Sequence, residues 1–160
     1  MKIAFTGGGT LGHVIPALSV YDELVSRHGS FDSFYIGSKK KSEAEYVESH
    51  GLRFYPVSTG KLRRYFSFEN FTDIFRVCAG FFQALGILRR ERPDVLFSKG
   101  GFVSVPVCLA ASILRIKLVI HESDCSMGLA NRINSHFADK VCLGFESCVS
   151  EGKKVIYTGN

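Results

Sequence analysis

The sequence has few of the features that mark a disordered or redox-active chain. Proline occurs only four times in 160 residues, charged residues make up 22%, and the sequence contains neither a low-complexity run nor an internal repeat. This composition excludes a disordered chain. The five cysteines include no CxxC pair, which excludes a zinc knuckle and a dithiol redox motif. We expect reduced thiols in a cytoplasmic setting.

Long apolar runs are also missing. The first six residues, MKIAFT, have one lysine and too few apolar residues for a signal peptide or an anchor. The longest apolar stretch, 77–88, contains a glutamine and falls short of the ~20 residues that span a bilayer. We therefore expect a soluble or peripheral protein.

What the chain does have is enough apolar material for one packed domain and an excess of positive charge. Hydrophobic residues make up 46% of the 160 residues, which suffices for a core. The formal net charge of +5 favours anionic partners such as phosphates, nucleic acid or acidic lipid. Charge alone does not choose among them.

Short apolar segments typical of strands alternate with helical segments along the whole chain. We predict strands at 2–6, 32–37, 53–57, 94–98, 117–121, 140–144 and 154–159, and helices at about 14–28, 41–50, 71–90, 104–115 and 128–137. This alternation predicts an α/β fold with a doubly wound parallel sheet. Ligands of such sheets bind outside the carboxyl ends of the strands, which points to the segments after strands one, four and five.

Two glycine-rich turns follow predicted strands and precede predicted helices. The first, 7–13, reads GGGTLGH, and the second, 98–102, reads SKGGF. Glycine lets backbone amides approach a phosphate, and a helix amino terminus adds a favourable dipole. Two such turns on one edge of a sheet predict a diphosphate held between them. Tight turns without a ligand are the alternative.

Each turn carries one side chain suited to an anionic ligand. His13 is a candidate for an oxyanion donor or for a base near neutral pH, and its alternative is a local hydrogen bond at the helix start. Lys99 either supplies a cation to the ligand or is a solvated loop residue.

The first turn also fits the GxGxxG pattern of a dinucleotide site, with Gly7, Gly9 and Gly12. Such a site requires an acidic residue at the end of the second strand. The sequence reads GSKKK there, at 37–41, without a carboxylate. This disfavours a dinucleotide-binding module, although the lysines leave an NADP-type site open.

A polar segment, HESD at 121–124, follows the fifth strand. Neighbouring side chains on a strand point to opposite faces, so we do not expect His121 and Glu122 to act as a pair. A buried histidine with satisfied hydrogen bonds is an equal alternative for His121. Asn131, at the start of the next helix, either caps locally or donates to a sugar.

Residues 61–90 combine cations with a surplus of aromatic side chains. A crossover helix needs one apolar stripe to pack on a sheet, and this segment is apolar over more than that. The pattern fits peripheral binding to an anionic bilayer, or a helix covered by a neighbouring domain. No nucleic-acid motif is present, so we expect no nucleic-acid partner. The residues predicted to contact the membrane are Lys61, Arg63, Arg64, Phe66, Phe68, Phe71, Phe75 and Phe82.

Taken together, these motifs resemble the MurG family of GT-B glycosyltransferases. The resemblance rests on GGGTLGHVIPAL at 7–18, SKGGFVSVP at 98–106, HESD at 121–124 followed by GLANR at 128–132, and the terminal TGN. It implies that residues 1–160 form the Rossmann-like amino-terminal half, which binds the acceptor at the cytoplasmic face of the cell membrane. The donor-binding carboxyl-terminal domain would be absent from this chain, and the isolated chain would be inactive.

The resemblance also implies a reaction. N-acetylglucosamine would pass from UDP-N-acetylglucosamine to undecaprenyl-diphosphate-N-acetylmuramyl-pentapeptide in peptidoglycan synthesis, with no metal and no cofactor. The nearest alternative is a related transferase that uses another polyprenyl-diphosphate sugar in surface polysaccharide synthesis.

The same resemblance implies roles for individual residues. The acceptor diphosphate would be cradled by Gly8, Gly9, Gly12, Gly100 and Gly101. The donor sugar would lie near Thr10, Leu11, Gly12, Asp124 and Asn131. His13 is the first candidate for the base that deprotonates the acceptor hydroxyl as UDP is displaced with inversion, and Glu122 or Asp124 is the alternative.

Two positions depart from the family pattern. The first turn of the family usually reads TGGH, and this chain has Leu11 in the place of the second glycine. A side chain there narrows the turn or shifts its amide. Asp124 stands where many members have asparagine, and its carboxylate would accept sugar hydroxyls but repel a phosphate.

Overall fold

The structure, a computed structural model, describes residues 1–60, 69–146 and 154–159, and the side chains of 69–72 are not described. The described strands are β1 Lys2–Thr6, β2 Asp32–Ser38, β3 Arg53–Val57, β4 Val95–Ser98, β5 Lys117–Glu122, β6 Lys140–Leu143 and β7 Val155–Tyr157. The described helices are α1 Leu11–His28, α2 Lys41–Ser49, α3 Glu69–Glu91, α4 Ser104–Ile113 and α5 Leu129–Asn134.

All seven strands form one parallel sheet in the order β3-β2-β1-β4-β5-β6-β7. The chain runs outward from β1 to β3, crosses back through α3, and runs outward again from β4 to β7. The direction of winding therefore reverses between β1 and β4, whose last residues, Thr6 and Ser98, are paired. A ligand crevice is expected at such a reversal. The predicted α/β fold with a doubly wound parallel sheet is confirmed.

Two hydrophobic cores cover the two faces of the sheet. In β1, Ala4 points to the core that contains α3 and α4, while Phe5 points to the core that contains α1 and α2. β2 alternates in the same way, with Phe34 on the first face and Tyr35 on the second. Strands buried on both faces read as continuous apolar runs, which is why these segments were identifiable in the sequence.

Helix α1 begins three residues earlier than the sequence suggested, at Leu11 instead of Val14. Gly12 and His13 therefore lie in the first turn of the helix. Pro16 lies inside the helix and has no N–H to donate to the carbonyl of Gly12. Propensity disfavours this arrangement, so packing decides where the helix begins: Val14, Ala17 and Leu18 are buried against the sheet.

The cysteines only partly follow the expectation of reduced thiols. Cys108 and Cys142 are buried and free, and Cys78 is exposed and free. Burial raises the pKa of the Cys108 thiol to about 12, so this thiol is a small neutral core group. Cys125 is disulfide-bonded, and for this residue the expectation is wrong.

Glu91, the last residue of α3, is the centre of a charge cluster at the amino edge of the sheet. Its carboxylate accepts hydrogen bonds from Lys2 Nζ at 2.6 Å and from the Tyr55 hydroxyl at 2.7 Å, and Arg53 Nη1 lies 3.2 Å away. The Lys2 hydrogen bond, helped by Tyr55 and Arg53, lowers the pKa of Glu91 to about 2, although burial opposes the shift.

We expect Glu91→Gln to lower the free energy of unfolding at pH 7 by about 1–2 kcal/mol. The pKa of Glu91 is depressed in the folded chain, so its contribution to stability is present above the ordinary glutamate pKa of 4.5 and is lost as pH falls towards about 2. Urea unfolding at pH 7 and pH 3 should show a smaller loss of stability on acidification in the variant than in the parent chain. Glu23→Gln, which removes an exposed pair with Arg27, is the control. Parallel acid dependence in all three chains would contradict the assignment.

Candidate functional site

The two glycine-rich turns lie side by side because β1 and β4 are neighbours. The amide of Lys99 donates to the carbonyl of Thr6 at 3.0 Å, which extends the pairing of the two strands into the turns. A Cβ built on Gly101 would lie 2.2 Å from the carbonyl oxygen of Gly8. Gly8 and Gly101 thus touch through their backbones and leave no gap for a diphosphate between them. A ligand that uses both turns must lie across their common outer surface.

Close approach explains why glycine is required at two of these positions. Gly101 has a φ of +80°, and Gly9 has a φ of +95°. A Cβ on Gly9 would lie 2.1 Å from the ring of Phe102 in the second turn. The contact between the turns therefore explains why Gly9 and Gly101 are glycines, without a ligand. Support for a ligand comes instead from the backbone amides of the turns.

A buried carboxylate from α2 already occupies part of the first turn. Glu43 is fully buried, and its side chain accepts hydrogen bonds from the amide of Gly9 at 2.8 Å and from the amide of Ser38 at 2.9 Å. Lys40 Nζ donates to the carbonyl of Gly9. Glu43 was not among the predicted site residues, because the dinucleotide pattern places its acidic residue at the end of β2, and the signal for Glu43 is an acidic residue in the first turn of α2. A carboxylate held inward in this way is not available to a ribose, which removes support from the dinucleotide alternative.

Free backbone amides lie in both glycine turns, including the start of α1. The amides of Gly9 and Gly100 donate to Glu43 and to Ser98 Oγ. Across the described ranges, the amides of Gly8, Gly12 and Gly101 have no acceptor within the protein.

The start of α1 is open to an anion. Thr10, the residue before α1, makes no side-chain capping bond, and no acidic residue is present in the first turn. Thr10, Leu11 and Gly12 are exposed. An uncapped amino terminus of an 18-residue helix is a favourable position for an anion.

His13 lies where the two turns meet. It is half-buried in the first turn of α1, and its ring carbon Cδ2 would be 2.8 Å from a Cβ on Gly101. Its backbone amide donates to the carbonyl of Thr10 at 3.2 Å. Neither ring nitrogen has a hydrogen-bond partner in the part of the chain that the structure describes, so the imidazole is available to a ligand. This position suits an oxyanion donor or a base, and the role itself stays a prediction.

Glu122, the alternative base, is held in a network that orders the loop after β5. Its carboxylate accepts hydrogen bonds from the amides of Asp124 and Gly128 at 3.2 and 3.0 Å and from Asn131 Nδ2 at 3.1 Å. Glu122 is buried, whereas Asp124 is exposed. The geometry suits Glu122 for positioning the loop, and its catalytic role stays a prediction.

Asn131 links this loop to the second glycine turn. Its side chain is buried, and its Nδ2 donates to the carbonyl of His121 at 3.0 Å as well as to Glu122. A Cβ on Gly100 would lie 2.8 Å from the Asn131 amide group. Asn131 Oδ1 is buried and has no hydrogen-bond partner within the described residues. Asn131 thus holds the second turn against β5, and its contact with the donor sugar stays a prediction.

Lys99 is buried, so the solvated-loop alternative is wrong. Its side chain is 6% exposed, and its Nζ contacts His121 Nδ1 and Ser123 Oγ. His121 Nε2 is 2.9 Å from the carbonyl of Gly159 and donates to it, so Nδ1 accepts from Lys99. Burial is the main cause that lowers the pKa of both Lys99 and His121. His121 is therefore a buried histidine with partners for both nitrogens, as one of the two alternatives predicted.

Lys99, His121 and Ser123 border a largely apolar groove of about 970 Å³ beside α1. Ile15, Pro16 and Leu24 line its other wall. The groove adjoins the carboxyl edge of the sheet and includes Lys99, but it is not lined by any glycine of the two turns.

The segment predicted to contact the membrane is described only in part. Lys61, Arg63, Arg64, Phe66 and Phe68 lie outside the described residues, and Phe71 lies in α3 with its side chain not described. On the described part of α3, the side chains of Ile74, Phe75 and Phe82 are 59%, 62% and 68% exposed. No helix among the described residues is long and apolar enough to cross a membrane. The same residues contain no cluster of three or more side chains that could hold a metal ion.

Comparison with known sequences gives a consistent result. Residues 3–143 match the family model described as the glycosyltransferase family 28 N-terminal domain. The chain is 46% identical over 160 residues to the UDP-N-acetylglucosamine--N-acetylmuramyl-(pentapeptide) pyrophosphoryl-undecaprenol N-acetylglucosamine transferase of Clostridium botulinum strain Langeland, covering 99% of this chain and 45% of the relative. It is 51% identical over 147 residues to the protein of the same name from Staphylococcus carnosus, covering 91% of this chain and 40% of the relative. The chain thus spans less than half the length of these relatives.

Solved structures show the same fold. The crystal structure of Acinetobacter baumannii MurG superimposes with a TM-score of 0.81 at 23% identity, over 99% of this chain and 44% of that protein. The UDP-GlcNAc 2-epimerase of Methanocaldococcus jannaschii, in complex with UDP-GlcNAc and UDP, superimposes with a TM-score of 0.73 at 17% identity, over 100% of this chain and 47% of the epimerase. At these identities the likeness concerns the fold alone.

Proposed function

Because the chain belongs to the family of glycosyltransferase family 28 N-terminal domains, we propose that it is the acceptor-binding half of an inverting hexosyltransferase of the GT-B type. The donor is UDP-N-acetylglucosamine, and the acceptor is undecaprenyl-diphosphate-N-acetylmuramyl-pentapeptide. The observation that carries this proposal is the identity of 46–51% over 91–99% of the chain to transferases named for that reaction.

The joined glycine turns support a site for the acceptor diphosphate on their common outer surface. The amides of Gly8, Gly12 and Gly101 have no acceptor in the described parts of the protein, and the uncapped start of α1 adds positive potential. Gly9 and Gly100 would shape the site but would not donate to the diphosphate, because their N–H groups already donate to Glu43 and Ser98. The diphosphate would thus lie close to His13.

The reaction is a direct displacement. His13 takes the proton of the acceptor hydroxyl, the hydroxyl oxygen bonds to the anomeric carbon, and the bond from that carbon to UDP breaks with inversion. The exposed residues Thr10, Leu11 and Gly12 stand beside His13 on the donor side, and Asp124 is exposed at the next loop. Glu122 and Asn131 act through the loop that they hold.

Peripheral binding to the cytoplasmic face of the membrane completes the proposal. Ile74, Phe75 and Phe82 are exposed on α3, and exposed apolar side chains of this size fit insertion at the headgroup level of an anionic bilayer. Such binding would place the lipid-linked acceptor next to the carboxyl edge of the sheet.

The test is binding of the chain to vesicles that contain undecaprenyl-diphosphate-N-acetylmuramyl-pentapeptide, compared with plain anionic vesicles. We expect the acceptor to tighten binding, and we expect His13→Ala to remove at least about tenfold of that tightening because one charge-assisted contact is lost. His28→Ala, an exposed histidine at the other end of α1, is the matched control and should bind like the parent chain.

The outcomes separate the alternatives. If the acceptor does not tighten binding and plain vesicles still bind, the proposed acceptor is wrong, and vesicles with other polyprenyl-diphosphate sugars become the next probe. If the acceptor tightens binding of His13→Ala as it does for the parent chain, His13 does not contact the diphosphate.

A further inference from the structure

A positively charged cavity lies at the opposite edge of the sheet from the glycine turns. It has a volume of about 490 Å³ and is formed where α3 and α4 end and where β4 and β5 begin. Arg89, Arg92 and Arg115 line it together with one carboxylate, Asp94. The proposed acceptor site does not involve any of these residues.

The three arginines are exposed, and their guanidinium groups have no anionic partner among the described residues. Over residues 1–60, 69–146 and 154–159, none of them has a carboxylate oxygen within 4.0 Å, and none donates a hydrogen bond. Asp94 accepts a hydrogen bond from the amide of Lys2 at 2.7 Å. Three cations against one carboxylate leave the cavity lining with a formal charge of +2.

The backbone shows that two of these arginines occupy positions where glycine is the usual residue. Arg92 has a φ of +49° and Arg115 a φ of +56°, and they are the only non-glycine residues with positive φ that the described chain contains. Each follows the end of a helix: the amide of Arg92 donates to Leu88 at 2.9 Å, and that of Arg115 donates to Ser112 at 3.0 Å. Glycine adopts this left-handed ending without strain, whereas any residue with a Cβ is strained.

The local benefit of a cation at a helix end does not account for Arg92. A positive charge near a helix carboxyl terminus is favourable, but α3 already has Arg89 and Arg90 in its last turn, whereas α4 has no basic residue in its last turn. Two separate helices each retain a strained arginine, and both side chains line one cavity. A requirement for guanidinium groups in the cavity explains both cases.

We propose that Arg89, Arg92 and Arg115 form a binding site for a phosphate group. Guanidinium is planar and presents paired N–H donors that match phosphate oxygens, and three such groups without internal partners supply the charge that a phosphate needs. The phosphate belongs either to a soluble ion or to the headgroup of an anionic lipid. Ile113, 58% exposed at the end of α4, lies two residues before Arg115.

The test uses glycine substitutions, which remove the guanidinium and relieve the backbone at once. We expect Arg92→Gly and Arg115→Gly to melt at the same temperature as the parent chain or higher, and each to bind about tenfold more weakly than the parent chain. Binding is measured by calorimetry with inorganic pyrophosphate and by co-sedimentation with phosphatidylcholine vesicles with or without phosphatidylglycerol. Arg90→Ala is the matched control, because Arg90 lies at the same helix end but over the ring of Tyr55, outside the cavity.

Each outcome of this test either supports or overturns the phosphate site. Weakened pyrophosphate binding in both glycine variants supports a site for a soluble phosphate, and weakened binding to phosphatidylglycerol vesicles alone supports a lipid headgroup. The proposal is overturned if neither probe binds the parent chain. It is also overturned if the glycine variants bind like the parent chain, or if Arg90→Ala weakens binding as much as they do.

Discussion

Gly101→Ala should lower the free energy of unfolding by about 3 kcal/mol or more. Two costs add at this position. The left-handed backbone, with a φ of +80°, is strained for alanine, and the new Cβ would lie 2.2 Å from the carbonyl oxygen of Gly8. That contact joins two backbones, so neither side can move away without separating the two turns. The same Cβ would also press on the ring of His13, so the variant should lose acceptor-dependent binding.

Gly51→Ala separates these costs. Gly51 has a φ of +78°, and a Cβ there would meet nothing within 4 Å. Gly51→Ala should therefore lower the free energy of unfolding only by the cost of backbone strain, about 1–2 kcal/mol. Urea unfolding of the two variants measures the difference, which reports the contact between the turns. Equal losses in both variants would show that the turns do not touch as described.

Glu43→Ala should lower the free energy of unfolding by about 3 kcal/mol, because the amides of Gly9 and Ser38 would each lose a buried acceptor. Glu43→Gln keeps one acceptor oxygen but turns an N–H₂ group towards the other amide, so an intermediate loss is expected. Hydrogen exchange at the amide of Gly9 should accelerate in both variants as the first turn opens.

Glu45→Ala is the matched control for this prediction. Glu45 lies two residues further along α2, is 61% exposed and, within the described part of the chain, pairs only with Lys41. Its removal should change the free energy of unfolding by less than about 0.5 kcal/mol. If Glu43→Ala were as stable as Glu45→Ala, the buried carboxylate would not be what holds the first turn.

Local pattern explains the parts of the fold that could be predicted. Strands such as β1 and β2 are buried on both faces, so their apolar character is continuous and visible without knowledge of their neighbours. The glycine turns at the ends of β1 and β4 were identifiable because glycine marks backbone that other residues do not adopt. Among the described helices, α1 is the one whose predicted start differs from the structure by more than two residues. The packing of Val14 outweighs the proline inside this helix.

The site was less predictable because its contacts join residues that are far apart in the chain. Nothing near Glu43 in the sequence indicates that its carboxylate reaches Gly9, 34 residues away. Likewise, nothing in the sequence indicates that Lys99 and Asn131 are buried against His121, where β4 and β5 bring them. Their burial follows from the strand order, which no local window contains.

The sequence by itself determined the class of fold, the edge of the sheet that carries the candidate site, and His13 as the side chain to test. These follow from the periodicity of the apolar residues and from glycine and histidine, whose conformational freedom and titration near neutral pH suggest their roles. Only the tertiary structure decided which amides of the glycine turns are free. It also showed that the turns touch, and that Arg92 and Arg115 share a cavity. Those properties depend on distances between separate segments, and such distances are set when the sheet assembles and its two cores pack.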